Sequence, residues 1–174
     1  MKIVFASNFY NHHQSEISAS LHKLTGGHYY FVETQTMPDE QLAMGYGQER
    51  LPDYVLKAHK NLESQERCRK LINEADVVIA GSAPESMLRE RIRSGKLLFR
   101  YAERPMKNGL EPMKYLLRLL RWRWRNPMRK PIYMLCASAF TAADYYKFGL
   151  FRNRCYKWGY FPEVKKYNEE ELFT

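Results

Sequence analysis

Cysteine is scarce in this chain and badly spaced for cross-linking. Cys68, Cys136 and Cys155 are odd in number and widely separated, with no CxxC pair. That pattern argues against a disulfide framework and against a structural zinc site. Reduced, mostly buried thiols are expected instead. Long hydrophobic runs are also missing; none approaches the roughly 18 consecutive apolar residues of a membrane-crossing helix. Met1-Lys2 leads directly into Ile3-Val4-Phe5-Ala6 and then polar Ser7-Asn8, which lacks the layout of a secretory signal. The expectation is a soluble intracellular domain. Nine glycines and eight prolines in 174 residues are ordinary levels, which excludes collagen-like and low-complexity chains.

Several familiar sites are absent as well. No GxGxxG follows the first apolar run and no GxxxxGK[ST] occurs, so neither the dinucleotide fingerprint nor a P-loop is present. GxSxG is missing, and Ser82 and Ser138 have no evident triad partners in order. Acidic residues are outnumbered: 28 Lys+Arg against 19 Asp+Glu give a net charge of +9. Such an excess favours a polyanionic partner, whether nucleic acid, anionic lipid or a phosphorylated small molecule.

What is present alternates between apolar strands and amphipathic helices. Strands are expected at 2–6, 29–32, 77–80, 96–101, 132–135 and 155–160. Helices are expected at 14–24, 64–73, 84–95, 110–125 and 138–148, with 35–53 as a long surface excursion broken by Pro38, Gly45, Gly47 and Pro52. Six strands with helices between them indicate an α/β fold: a Rossmann-like, doubly wound, mostly parallel sheet with helices on both faces.

In such sheets ligands bind at the carboxyl ends of the strands. The loops to inspect are therefore 7–14, 81–85, 102–109 and 136–141. The first reads Ser7-Asn8-Phe9-Tyr10-Asn11-His12-His13-Gln14. Asn11, with Gln14 three residues on, has the form of a capping box. His12 and His13 then fall in the first helical turn, where free N–H groups and the helix dipole favour an anion. A histidine there suits phosphate binding or general acid–base work near neutral pH, with Asn8, Asn11 and Gln14 as polar lining. The alternative is that one histidine caps the helix or packs beneath the loop. Gly81 and Ser82 would let a ligand approach backbone amides, or would form a plain tight turn. Arg104 suits a bidentate phosphate or carboxylate contact; alternatively Glu103 and Arg104 pair and merely order their loop. Ser138 completes the polar candidates.

On the helix 110–125, a 100° step groups Leu110, Met113, Leu116, Leu117, Leu120 and Trp124 into one apolar stripe. Lys114, Arg118, Arg121 and Arg125 form a basic strip beside it, with Tyr115 and Trp122 at its outer margin and Arg123, Arg129 and Lys130 nearby. A basic face edged with amphipathic aromatics suits an anionic membrane surface. The same strip also fits nucleic acid, or it is simply a solvated face.

Three stretches carry a family resemblance: the opening MKIVFASNFYNHHQ, RYAERPMKNG, and LCASAFTAADYYKFG followed by YKWGYFPE. Together they resemble the amino-terminal half of bacterial glycosyltransferases of the GT-B fold, of the group-1 type found in capsule, exopolysaccharide and O-antigen synthesis. The likeness runs from Met1 to about Glu163. It implies a two-domain enzyme, of which residues 1–163 are the acceptor-side domain and 164–174, with acidic Glu169-Glu170-Glu171, the linker or the start of a missing carboxyl-terminal domain. It further implies transfer of a hexose, with retention, from a nucleotide-sugar held mainly by that other domain to a lipid-linked or polysaccharide acceptor. Neither an organic cofactor nor a metal ion is implied. The enzyme would sit in the cytoplasm against the inner face of the cell membrane, and this half alone would not turn over. Where many relatives carry a Gly-rich loop after the first strand, this chain has Asn11-His12-His13-Gln14. His12 and His13 are catalytic candidates from their place in the first helical turn, where this chain departs from the family; on the resemblance, Glu103, Arg104 and Ser138 are binding candidates. A nucleic-acid-binding α/β module using the Arg-rich helix is the alternative, although no nucleic-acid partner is expected on the favoured reading.

Overall fold

Fully apolar runs such as Val77-Val78-Ile79-Ala80 suit strands covered on both faces, and the chain builds its sheet from them. A computed structural model describes residues 1–47, 50–107, 109 and 112–162, with 112–114 described by backbone only. The strands are β1 (Ile3–Ser7), β2 (Tyr29–Glu33), β3 (Val55–Lys57), β4 (Val77–Ala80), β5 (Leu98–Ala102), β6 (Ile132–Cys136) and β7 (Cys155–Lys157). The helices are α1 (His12–Leu24), α2 (Asp39–Ala43), α3 (Leu62–Glu74), α4 (Glu85–Ser94), α5 (Pro112–Arg125) and α6 (Thr141–Lys147). All pairings are parallel, and the sheet order is β3-β2-β1-β4-β5-β6-β7. The direction of winding reverses between β1 and β4, the place where Rossmann-like sheets open a crevice.

The architecture agrees with the expected doubly wound fold and adds one strand. β3 was not legible because it is three residues long at the sheet edge, emerging directly from the 35–53 excursion. That excursion also holds the short helix α2. The helix expected at 138–148 is shorter, and the strand expected at 155–160 stops at Lys157. Beyond it, the Phe161 N–H donates to the His13 carbonyl at 3.3 Å, which brings the segment back over the start of α1. The boundary expected at Glu163 and the acidic tail lie outside the described residues.

Alternation along each strand divides the core. Val4, Ala6, Val78, Leu98 and Met134 face one layer, packed against Cys68 and Ile72 of α3, Met87 and Leu88 of α4, and Tyr145 of α6. Ile3, Phe5, Phe31, Ile79 and Leu135 face the other, where Tyr10 of the loop after β1 and Leu21 of α1 cover them. The cysteines are free, with Cys68 and Cys136 buried and Cys155 half-buried. One buried polar device stands out. Arg91 is 0% exposed and its guanidinium donates to the carbonyls of Ile72, Ala75, Asp76 and Leu97 at 2.6–3.1 Å. It thereby ties the end of α3 and the approaches to β4 and β5 to α4, at the sheet's amino edge. Burial lowers its pKa to about 10, which still leaves it charged at neutral pH.

Helix α5 departs from its helical-wheel reading. Its inner face is Tyr115, Leu119 and Trp122, which pack on the core. Tyr115 stacks on Phe148 at 5.0 Å and Trp122 meets the same ring edge-on at 4.5 Å. Two of these side chains were expected at the outer margin of the basic strip. The wheel defines two apolar stripes here, and the aromatic floor supplied by Tyr145 and Phe148 decides which one turns inward. Leu110 and the side chains of Met113 and Lys114 lie outside what is described.

Candidate functional site

The tips of β1, β4, β5 and β6 are neighbours along the carboxyl edge, and the loops leaving them carry most of the expected residues. At β1, the Asn8 carbonyl accepts the N–H groups of Thr34 and Gln35, each at 2.9 Å. The Asn8 side chain accepts the Ser7 hydroxyl at 3.0 Å. Asn11 is the N-cap of α1: its Oδ1 accepts the His13 N–H at 2.9 Å. This satisfies one of the free donors of the first turn. The reciprocal half of the capping box is absent among the described residues, because the Gln14 side-chain oxygen is buried with no partner. His13 Nδ1 is orphaned in the same way. Two buried, unpaired polar atoms in one helical turn are unusual in folded proteins, where almost all such atoms are satisfied.

His12 and His13 lie side by side, with ring centroids 4.0 Å apart. Tyr46 stands 5.0 Å from His12, and Tyr160 4.8 Å from His13. Tyr160 reaches across to β5, where its hydroxyl donates to the Glu103 carboxylate. Lys107 Nζ sits 3.5 Å from the other Glu103 oxygen. The sheet spacing of about 4.8 Å per strand leaves β1 and β5 roughly 10 Å apart, and this tyrosine spans the gap. The hydrogen bond from Tyr160, assisted by Lys107, holds Glu103 below the usual carboxylate range. It also raises Tyr160, second to burial. Burial lowers the His13 pKa, the neighbouring His12 lowers it further, and Glu103 opposes both. At neutral pH the cluster therefore combines a neutral imidazole, an ionised carboxylate and two flanking aromatic rings. Such a set offers acceptors for hydroxyl groups and apolar surface for a ring to lie against.

The remaining candidates do not join this cluster by direct contact. Glu103 and Arg104 do not pair with each other. Arg104 Nε donates to Asp144 Oδ2 at 2.8 Å, and that carboxylate is 2% exposed. Asp144 also accepts the Met106 N–H at 3.2 Å, and the Arg104 guanidinium lies 5.2 Å from the Phe140 ring centroid. The pair thus orders the 103–107 loop against α6. Ser138 shares a 2.9 Å hydrogen bond with Thr141 at the start of that helix. Gly81 and Ser82 are fastened to β1: the Ser82 N–H donates to Ser7 Oγ at 3.3 Å. A Cβ on Gly81 would stand 2.7 Å from that oxygen. The glycine is required by close packing of two strand tips.

On α5, Arg118 and Arg121 are exposed. Arg125 is instead half-buried, its Nε 3.2 Å from Glu85 Oε1. Glu85 also takes a bidentate contact from buried Arg100 at 3.0 and 2.9 Å. Trp122 faces inward, so neither it nor Arg125 belongs to an outward membrane-facing strip.

Reading the sequence missed Tyr46, Tyr160 and Glu33. Glu33 is the acidic end of an otherwise apolar and aromatic strand. It is buried, and its carboxylate accepts the Tyr10 N–H at 2.8 Å, pinning the 7–11 loop. A charged residue closing such a run was a usable signal; the tyrosines, far away in sequence, gave none. The chain matches no protein-family model, no curated protein and no solved structure.

Proposed function

We propose that the domain is the acceptor-binding half of a glycosyltransferase that moves a sugar from a nucleotide-sugar to a lipid-linked or polysaccharide acceptor at the inner face of the cell membrane. The observation that carries this reading is the pair of unpartnered buried atoms, His13 Nδ1 and Gln14 Oε1, in the first turn of α1. They lie at the switch point of a Rossmann-like sheet, beside Tyr46, Tyr160 and Glu103. A saccharide presents hydroxyls to polar atoms and C–H faces to aromatic rings, and this cluster supplies counterparts to both.

On this reading Glu103 and the histidines orient the acceptor, and a neutral imidazole is available to take the acceptor hydroxyl's proton as its oxygen bonds to the sugar and the bond from that sugar to the nucleotide's phosphate breaks, the nucleotide leaving as the anion. The donor is held mainly by a second domain facing the same edge. Transfer of labelled sugar from a nucleotide-sugar, measured on membranes from cells making the full-length enzyme, tests the assignment. His12→Ala or His13→Ala is expected to lower the rate by about 100-fold or more, the usual scale of a lost acid–base group. Wild-type rates in both variants would remove the loop from the reaction.

A further inference from the structure

Helix α5 has the sequence PMKYLLRLLRWRWR, five cations and no carboxylate. Its inner stripe is spent on the core, yet a second apolar stripe remains in water. Leu116 is 57% exposed, Leu117 67%, Leu120 58% and Trp124 71%. A soluble helix normally keeps its solvent side polar; one that is apolar both inward and outward needs a second apolar surface to meet. At 100° per residue the outward stripe is bordered by Arg121 and Arg118 on one side and by Arg123 on the other.

A second feature adjoins this stripe. Between α4 and α5 lies a groove of about 630 Å³ that Trp124 helps to line, together with Arg89, Arg93, Arg123 and Arg129. Its carboxylate, Glu85, is already engaged by Arg100 and Arg125. The groove is therefore strongly cationic and sits directly beside exposed hydrocarbon.

These two chemistries side by side describe one kind of surface. Nucleic acid would satisfy the arginines but leave the leucines in water. A second copy of the chain, related by a two-fold axis, would set arginines against arginines. An anionic bilayer meets both needs: acyl chains for the stripe, phosphates for the guanidiniums, and the interfacial layer that tryptophan favours for Trp124. We propose that α5 lies in the surface of an anionic phospholipid bilayer, with Leu116, Leu117, Leu120 and Trp124 inserted and lipid phosphate held in the groove between α4 and α5. The proposal deepens the membrane placement of the reading above and rests on that placement but not on sugar transfer, so lipid binding and transferase activity can fail separately.

The test uses the whole chain and vesicles of phosphatidylglycerol mixed with phosphatidylcholine, against vesicles of phosphatidylcholine alone. The protein is expected to co-sediment with the anionic vesicles, and its tryptophan emission to shift to the blue. Trp124→Phe should retain binding and lose most of that shift. Leu117→Glu with Leu120→Glu should weaken partitioning at least about tenfold, and Arg123→Glu with Arg129→Glu should do the same, since one interfacial cation contributes roughly fivefold. All these side chains are exposed, and unchanged circular dichroism and Tm would confirm folding. Should the glutamates unfold the helix, Leu117→Ser with Leu120→Ser serves in their place, and Trp124→Phe reads insertion without them. Three results would overturn the proposal. One is no binding to anionic vesicles at low salt. Another is wild-type partitioning in the leucine variants, which would mean electrostatic adsorption alone. The third is a dimer or an RNA complex that takes up this face in preference to vesicles.

Discussion

Tyr160 donates its hydroxyl to Glu103 across 57 residues of chain. With Phe161 bonded to the His13 carbonyl, this contact closes the last described segment over the tips of β1 and β5. It also sets the charge of the cluster, because Glu103 gains an ionised form favoured by a donor it would otherwise lack.

Tyr160→Phe keeps the ring beside His13 and removes that donor. The Glu103 carboxyl should then titrate at higher pH than in the wild type, as read from its side-chain carbon shift in an NMR titration. Because Glu103 is about half exposed, the stability change should be small, under about 1 kcal/mol. An unmoved Glu103 titration would show that the hydrogen bond does not form in solution.

His13 should titrate below the ordinary imidazole value of about 6.5, since burial and His12 both disfavour its charged form. A lowered folded-state pKa means that the unfolded chain binds the proton first as pH falls. Its contribution to stability is thus fully present above about 6.5 and is lost as pH drops through the folded value. Denaturant unfolding of the wild type and of His13→Gln at pH 7 and pH 5 checks the sign. The wild type should lose more stability than the variant between the two.

Arg91 holds four backbone carbonyls from within the core. Arg91→Met should cost about 3 kcal/mol or more in urea unfolding, because it leaves buried acceptors without donors. Lysine should not rescue it, since an ammonium lacks the planar fork that reaches several carbonyls at once.

Gly81→Ala places a methyl against Ser7 Oγ and should cost about 1–3 kcal/mol. Combined with Ser7→Ala, the cost should be less than the sum of the two single changes, as expected for groups in contact. Strict additivity would mean that the two strand tips do not touch.

The sheet was readable because its strands are nearly continuous apolar runs, such as Val77–Ala80, separated by helices with legible ends. Asn11 capped α1, Pro84 preceded α4 and Gly95 closed it in a left-handed conformation. β3 escaped because a three-residue edge strand has no period to detect. The histidine pair was found from its place after β1, but its surroundings were not: Tyr46 and Tyr160 reach it from loops 34 and 147 residues away. The charge at Arg104 was found and its partner was not, because Asp144 lies on α6, beyond any local pattern. α5 was the instructive failure. Hydropathy picked out one apolar stripe but passed over Leu119, and only the position of Phe148 shows that Trp122 turns inward and Leu117 outward.

The central proposal is that the rim formed by His12, His13, Tyr160 and Glu103 receives a saccharide. Its most direct test is NMR of the chain with imidazole and tyrosine ring labels, titrated with oligosaccharide fragments of bacterial surface glycans. The account predicts saturable shifts in His12, His13 and Tyr160, weakened by His13→Ala, with saturation transfer from the tyrosine rings to sugar C–H protons. Ring signals that stay still across the series, or shifts confined to the far edge of the sheet at β3, would contradict it.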